Sequence, residues 1–155
     1  MTQDWPVADL DPVRRLRVVA AATPGIGYAE EVIAAPFGSV WQFASDLERS
    51  LPDLLTDVRS FKIIPGHAER FQALARGRLG QRARFDVVLR PGWCLMQSRF
   101  VIGGMAAAPE AGGTRCAFLG GLRLPGIKLI DPLLGPVAGR LARRALRRLE
   151  HQLPS

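Results

Sequence analysis

Residues 136–153 constrain this chain more than any other stretch. Their apolar residues are Val137, Ala138, Leu141, Ala142, Ala145, Leu146, Leu149 and Leu153, which recur with the spacing of one face of an α-helix. Arg140, Arg143, Arg144, Arg147, Arg148 and Glu150 fill the opposite face. At 1.5 Å per residue the helix is roughly 27 Å long, about the width of a small domain. An apolar stripe of that length must lie on an apolar surface, and the strands that precede it are the candidates. Two starts are compatible with the prolines. Asp131-Pro132 reads as N-cap and first-turn proline, but Pro136 then loses a hydrogen bond and crowds the carbonyl of Pro132. With Gly135 as cap, Pro136 is itself the first-turn proline, and this start is preferred to a helix kinked at Pro136.

Upstream, β-forming runs alternate with turn signals. Residues 1–24 form a leader in which Asp11-Pro12 caps a short helix through Val13, Leu16 and Val19, ended by Thr23-Pro24-Gly25. Residues 26–35 read as a first strand. Two short helices follow, 36–45 and a second from Asp46 to about Thr56. Strands are then expected at 58–64, 69–76, 81–90, 93–102 and 114–124, with Gly103-Gly104 opening a small-residue loop. The main domain is residues 25–155: an α+β unit with an antiparallel sheet of about six strands.

Strand parity sorts the side chains. Pairing Arg90 with Trp93 sets Phe85, Val87 and Leu89 against Ser98, Met96 and Cys94. A hairpin centred near Pro109 sets Met96, Ser98, Phe100 and Ile102 against Leu122, Gly120, Phe118 and Cys116. One face thus collects the large apolar residues, with Phe61, Ile63, Phe71 and Ala73 added by odd-length loops. The other carries Arg82, Arg84, Asp86, Arg90, Gln97, Arg99, Arg115 and Arg123. The expectation is a sheet with one dry face, covered by the C-terminal helix.

A length of 155 residues suits one domain with a sizeable core, and shares of 48% hydrophobic and 23% charged residues are those of a soluble globular protein. No apolar run reaches the roughly 18 residues of a membrane span. The stretch 14–22 is too short, and too interrupted by Arg17, for a signal peptide, so a cytoplasmic protein is expected. The net charge of +7 raises nucleic acid as a partner, but residues 136–153 hold five arginines against one glutamate and no zinc-finger, RNP-type or helix-turn-helix pattern accompanies them. Nucleic acid is therefore disfavoured. Arg143, Arg144, Arg147 and Arg148 offer an anionic membrane surface or an acidic partner instead. Cys94 and Cys116 lack metal or CxxC spacing. The pairing above puts them about eight residues apart, roughly 26 Å, which reads as two buried reduced thiols.

Residues 34–41, Ala-Ala-Pro-Phe-Gly-Ser-Val-Trp, followed by Ala44-Ser45-Asp46, resemble the "hAP..VW....D" opening of the SRPBCC superfamily. That group includes START-like lipid-transfer proteins, polyketide cyclases/dehydrases and birch-pollen-allergen relatives. The resemblance covers residues 26–153, because strand, two short helices, meander and long terminal helix is also the element order of the helix-grip fold. It implies a curved sheet wrapped round the last helix, with an apolar cavity between them. It implies no single reaction.

Catalytic candidates are sparse. His67 lies in a turn and His151 at the end of the last helix, without motif neighbours. No nucleophile elbow, phosphate loop, dinucleotide fingerprint or HExxH is present, so no catalytic residue, metal or cofactor is assigned. Alternation turns either Glu30 or Glu31 toward the helix, although strand-edge exposure would keep both wet. Periodicity does not separate a lined pocket from a filled core. If the resemblance holds and the pocket exists, its ligand-binding residues are Phe71, Phe85, Val87, Met96, Ser98, Phe100, Phe118, Leu122, Val137 and Leu141, with Ser98 orienting the ligand. Three functions are compatible with this sequence. The first is carriage of a hydrophobic small molecule such as a lipid, polyketide or isoprenoid-like compound. The second is polyketide aromatase/cyclase activity assisted by Glu31 or Ser98. The third is a structural or partner-binding role for the basic terminal helix.

Overall fold

The computed structural model describes residues 10–122 and 127–153. Helix α1 (Pro12–Ala22) starts where Asp11 Oδ1 accepts a hydrogen bond from the Arg14 N–H at 2.9 Å, with Pro12 in the first turn where no N–H is needed. Strand β1 (Ile26–Ile33) follows. Pro36 then enters α2 (Phe37–Ser45), and Asp46 separates it from α3 (Leu47–Leu54) without making a side-chain capping bond. The remaining elements are β2 (Val58–His67), β3 (Arg70–Gly77), β4 (Arg82–Arg90), β5 (Trp93–Gln97), β6 (Val101–Glu110), β7 (Gly113–Leu122) and α4 (Ile127–Gln152).

The strands form one antiparallel seven-stranded sheet in the order β1-β7-β6-β5-β4-β3-β2. The meander from β2 to β7 runs strand by strand, and β1 closes back beside β7. The α+β helix-grip architecture expected from the sequence is present, with one strand more than anticipated. The reason lies at residues 93–102. This run is two strands, because a turn at Ser98–Phe100 reverses the chain after Gln97. Gly103 and Gly104 are then inside β6 and not in a loop, and the next reversal comes at Gly112, whose φ of +84° favours glycine.

The β4–β5 register agrees with the parity argument: Arg90 pairs with Trp93, Leu89 with Cys94 and Val87 with Met96. The register beyond it does not. Met105, not Phe100, lies opposite Phe118, and Val101, not Met96, lies opposite Leu122. Ile102 therefore points away from α4, into a small core on the outer face with Val13, Leu16, Ala106, Ala117 and Leu119. That face is dry where α1 covers it, so the middle parts of β6 and β7 are buried on both sides, while Val32 of β1 stays exposed. The main core, on the inner face, includes Val40, Leu47, Leu51, Leu54, Phe61, Phe85, Val87, Leu146 and Leu149.

Helix α4 begins at Ile127, not at Pro136, and runs through both Pro132 and Pro136. A proline inside a helix has no N–H to donate and crowds the carbonyl four residues back, a local cost of roughly 3 kcal/mol that packing can offset. The buried line of α4 is Ala142, Ala145, Leu146 and Leu149; Val137 and Leu141 are 51% and 42% exposed. Its main supports are β1 and β7, with α3 alongside. The seat is close. A Cβ added to Gly27 in β1 would stand 2.1 Å from the Ala138 carbonyl carbon, so helix backbone occupies the place of a side chain there.

Candidate functional site

Three inward positions in a row across neighbouring strands are glycine: Gly27 on β1 pairs with Gly120 on β7, which pairs with Gly103 on β6. The α4 backbone fills the space above the first. Nothing fills the space above the other two: the nearest atom to a Cβ on Gly103 would be Met96 Cε at 3.5 Å, and for Gly120 the Ile102 carbonyl oxygen at 3.8 Å. The result is a cavity of about 390 Å³ between sheet and helices. Phe85, Met96, Met105 and Phe118 line it from the sheet, Leu51 and Leu55 from α3 and its end, and Ala138, Ala142 and Ala145 from α4. Its rim is formed by Leu55, Asp57 and Val58 after α3, by Val101 and Leu122 at strand ends, and by Val137 and Leu141 of α4. Among the described lining residues Asp57 alone carries a charge, and it is exposed.

The sequence-derived candidates divide accordingly. Phe85, Met96, Phe118, Leu122, Val137 and Leu141 meet at this cavity. Phe71 and Val87 share the inner face but lie farther along the sheet, beside an open cleft at the β2–β3 turn that also holds His67, Arg70 and Asp86. Ser98 and Phe100 are corrected by the β5–β6 turn. The Ser98 hydroxyl accepts the Val101 N–H at 3.0 Å and donates to the Val101 carbonyl at 3.3 Å, so it builds the turn and does not face the cavity. Phe100 is 47% exposed, with the Arg99 guanidinium 5.2 Å from its ring centre. Met105 and the glycine row escaped the sequence reading because glycine pairs are ordinarily turn punctuation. Their signal was β-periodicity continuing on both sides of Gly103-Gly104.

The glutamates do not reach the cavity. Glu31 is exposed. Glu30 faces outward and joins α1 to the sheet: Arg17 donates to its two oxygens at 2.5 and 3.1 Å, Arg115 at 3.2 Å, and the Tyr28 hydroxyl donates to it as well. Burial alone would raise the Glu30 carboxyl, but the hydrogen bonds from Arg17 and Tyr28 and the charges of Arg17 and Arg115 outweigh it and hold it below the usual carboxylate range. Burial, then the Glu30 contact, pushes the Tyr28 phenol up to about 12.

Cys94 and Cys116 are free and buried on the inner face. The true register brings them nearer than expected, with β6 between them. Two strand spacings, roughly 10 Å, still exceed disulfide reach. Burial pushes each thiol up to about 12. Among the described residues no group of three or more His, Cys, Asp or Glu stands together to hold a metal ion, and no described helix is long and apolar enough to cross a membrane.

No protein-family profile and no curated protein matches the sequence. Solved structures do match the fold. The di-domain ARO/CYC StfQ of the steffimycin biosynthetic pathway aligns with a TM-score of 0.66 at 9% identity, over 87% of this chain and 52% of that one. The di-domain ARO/CYC BexL of the BE-7585A biosynthetic pathway aligns with a TM-score of 0.60 at 16% identity, over 89% and 53%. A START superfamily protein from Mycobacterium smegmatis gives 0.59 at 15% identity, over 83% and 96%. This chain therefore spans about half of each di-domain protein and nearly all of the START protein. At such identities the likeness is one of fold. The chain has the helix-grip fold of these START and ARO/CYC proteins, the fold that the element order and residues 34–46 imply.

Proposed function

We propose that this protein binds and carries a hydrophobic small molecule, a lipid, polyketide or isoprenoid-like compound, in the cavity between sheet and α4. The observation that supports this is the open space above Gly103 and Gly120, walled by Phe85, Met96, Met105 and Phe118. Its volume of about 390 Å³ falls within the roughly 300–1,000 Å³ of small-ligand sites, and apolar walls reward burial at about 25 cal/mol per Å². On this reading the protein works in the cytoplasm, which its two free, buried thiols favour. Native mass spectrometry of the purified protein should find a co-purifying lipid-like mass, and a fluorescent fatty acid should bind the wild type. Gly120→Val should weaken the probe at least tenfold with little loss of stability, because the new methyls enter ligand space. In a filled core the same change would cost about 1–3 kcal/mol. A wild type with neither adduct nor probe binding would end the carrier reading.

The fold likeness to StfQ and BexL favours a second reading, cyclisation of a poly-β-ketone chain shaped by the cavity. Asp57, on the rim, is the carboxylate placed to assist it, in place of Glu31 or Ser98. Turnover of a poly-β-ketone thioester distinguishes this from carriage.

A further inference from the structure

Large apolar side chains left in solvent gather round the cavity mouth. Leu122, Val137 and Leu141 stand on its rim at 42%, 51% and 42% exposure, and Phe100, at 47%, projects from the β5–β6 turn beside the rim residue Val101. Basic groups are interleaved with them. Arg99 sits against the Phe100 ring. On α4, Val137, Leu141, Arg144 and Arg148 follow at steps of four, three and four, so one line of the helix, roughly 16 Å long, passes from apolar to basic. Arg144 is exposed and Arg148 half-buried, and neither forms an ion pair with the described residues. Arg143 and Arg147 lie roughly 160° and 120° round the helix from Leu141, away from the mouth.

We infer that this rim docks on an anionic lipid bilayer, with Phe100, Leu122, Val137 and Leu141 at the acyl boundary and Arg99, Arg144 and Arg148 on the phosphates. The inference rests on the reading of the cavity as a ligand site and gives it a route: the ligand passes between bilayer and cavity without crossing water. An acidic protein would need the arginines alone. A bilayer uses both halves of the pattern, apolar insertion and headgroup attraction. Asp57 is the opposing charge on the rim, against three arginines.

The test is co-sedimentation with vesicles of equimolar phosphatidylglycerol and phosphatidylcholine, compared with pure phosphatidylcholine, across a salt series. Wild type should bind the anionic vesicles, less so as salt rises. An Arg144→Gln/Arg148→Gln variant should bind roughly thirtyfold more weakly, about fivefold for each surface arginine. Phe100→Ser should weaken binding without changing the salt slope. Arg82→Gln/Arg84→Gln removes the same charge from the outward face of β4, opposite the cavity, and should bind like the wild type. All these variants should bind the fluorescent fatty acid in solution unchanged, since none of the altered residues lines the cavity. Absence of vesicle binding at low salt, an equal loss in the Arg82/Arg84 variant, or retention on immobilised acyl carrier protein without vesicle binding would each overturn the docking inference. Fatty-acid binding in solution without vesicle binding removes the docking inference alone. Vesicle binding without fatty-acid uptake removes the cavity reading alone.

Discussion

Gly27 and Gly120 are partners across β1 and β7, yet they respond to a methyl group in opposite ways. At Gly27 the added carbon meets the Ala138 carbonyl at 2.1 and 2.4 Å and the Gly139 nitrogen at 2.4 Å, all backbone, which cannot rotate aside. Gly27→Ala should therefore lift α4 off the sheet and cost about 3 kcal/mol or more in urea denaturation. Gly103→Ala, whose Cβ finds nothing nearer than Met96 Cε at 3.5 Å, should stay close to the wild type and serves as the control. Equal stability of the two variants would mean that α4 is not seated on β1. A row of glycines is invisible to hydrophobic periodicity, because its meaning depends on what approaches from the far side. Nothing in residues 26–33 announces that a helix backbone from residue 138 fills the notch at Gly27.

At the scale of elements, α1 is held to the outer face by its buried Val13 and Leu16 and by the Glu30 cluster. The Glu30 carboxyl is held below the ordinary glutamate value of about 4.5, so it binds fewer protons folded than unfolded in the acid range. Its contribution is complete above about pH 4.5 and is lost as pH falls through the lower folded value. The Glu30 carboxyl should titrate by NMR with a midpoint below 4.5, and hydrogen exchange in α1 should rise as it protonates. Glu30→Gln should loosen α1 at neutral pH and remove that acid step. A normal Glu30 midpoint would mean that Arg17 and Arg115 do not hold it. The helix itself was legible, since Asp11-Pro12 and the Val13/Leu16 spacing are local signals. Its docking was not. It required the outward orientation of Ile102, which the merged reading of 93–102 had reversed: one unrecognised turn at Ser98–Phe100 shifted every later partner. The start of α4 at Ile127 departs from the local sequence signals for a similar reason. Local rules stop a helix before proline, and packing against β1 and β7 overrides them.

For the whole molecule, two cores share one sheet, α1 on one side and α2 to α4 on the other, and the second is interrupted by the cavity. The order of elements and half of the strand pairing could be read from alternation and turn residues. The layer outside the sheet and the walls of the cavity arise from contacts between distant segments, and these leave no periodic trace. The buried thiols turn this arrangement into a clock. Cys94 and Cys116 lie on the inner face, protonated at any physiological pH and shielded from reagents in water. A thiol reagent can reach either one only during an opening event, so the labelling rate records how often the inner face of the sheet is uncovered at that thiol. Cys116 lines a small cavity together with Leu149 of α4, and Cys94 lies two strands away from it. If the helix and the meander open independently, the two thiols should label at different rates, resolved by mass spectrometry of the modified peptides. If the grip is one cooperative unit, they should label together, and a bound fatty acid should slow both by the same factor.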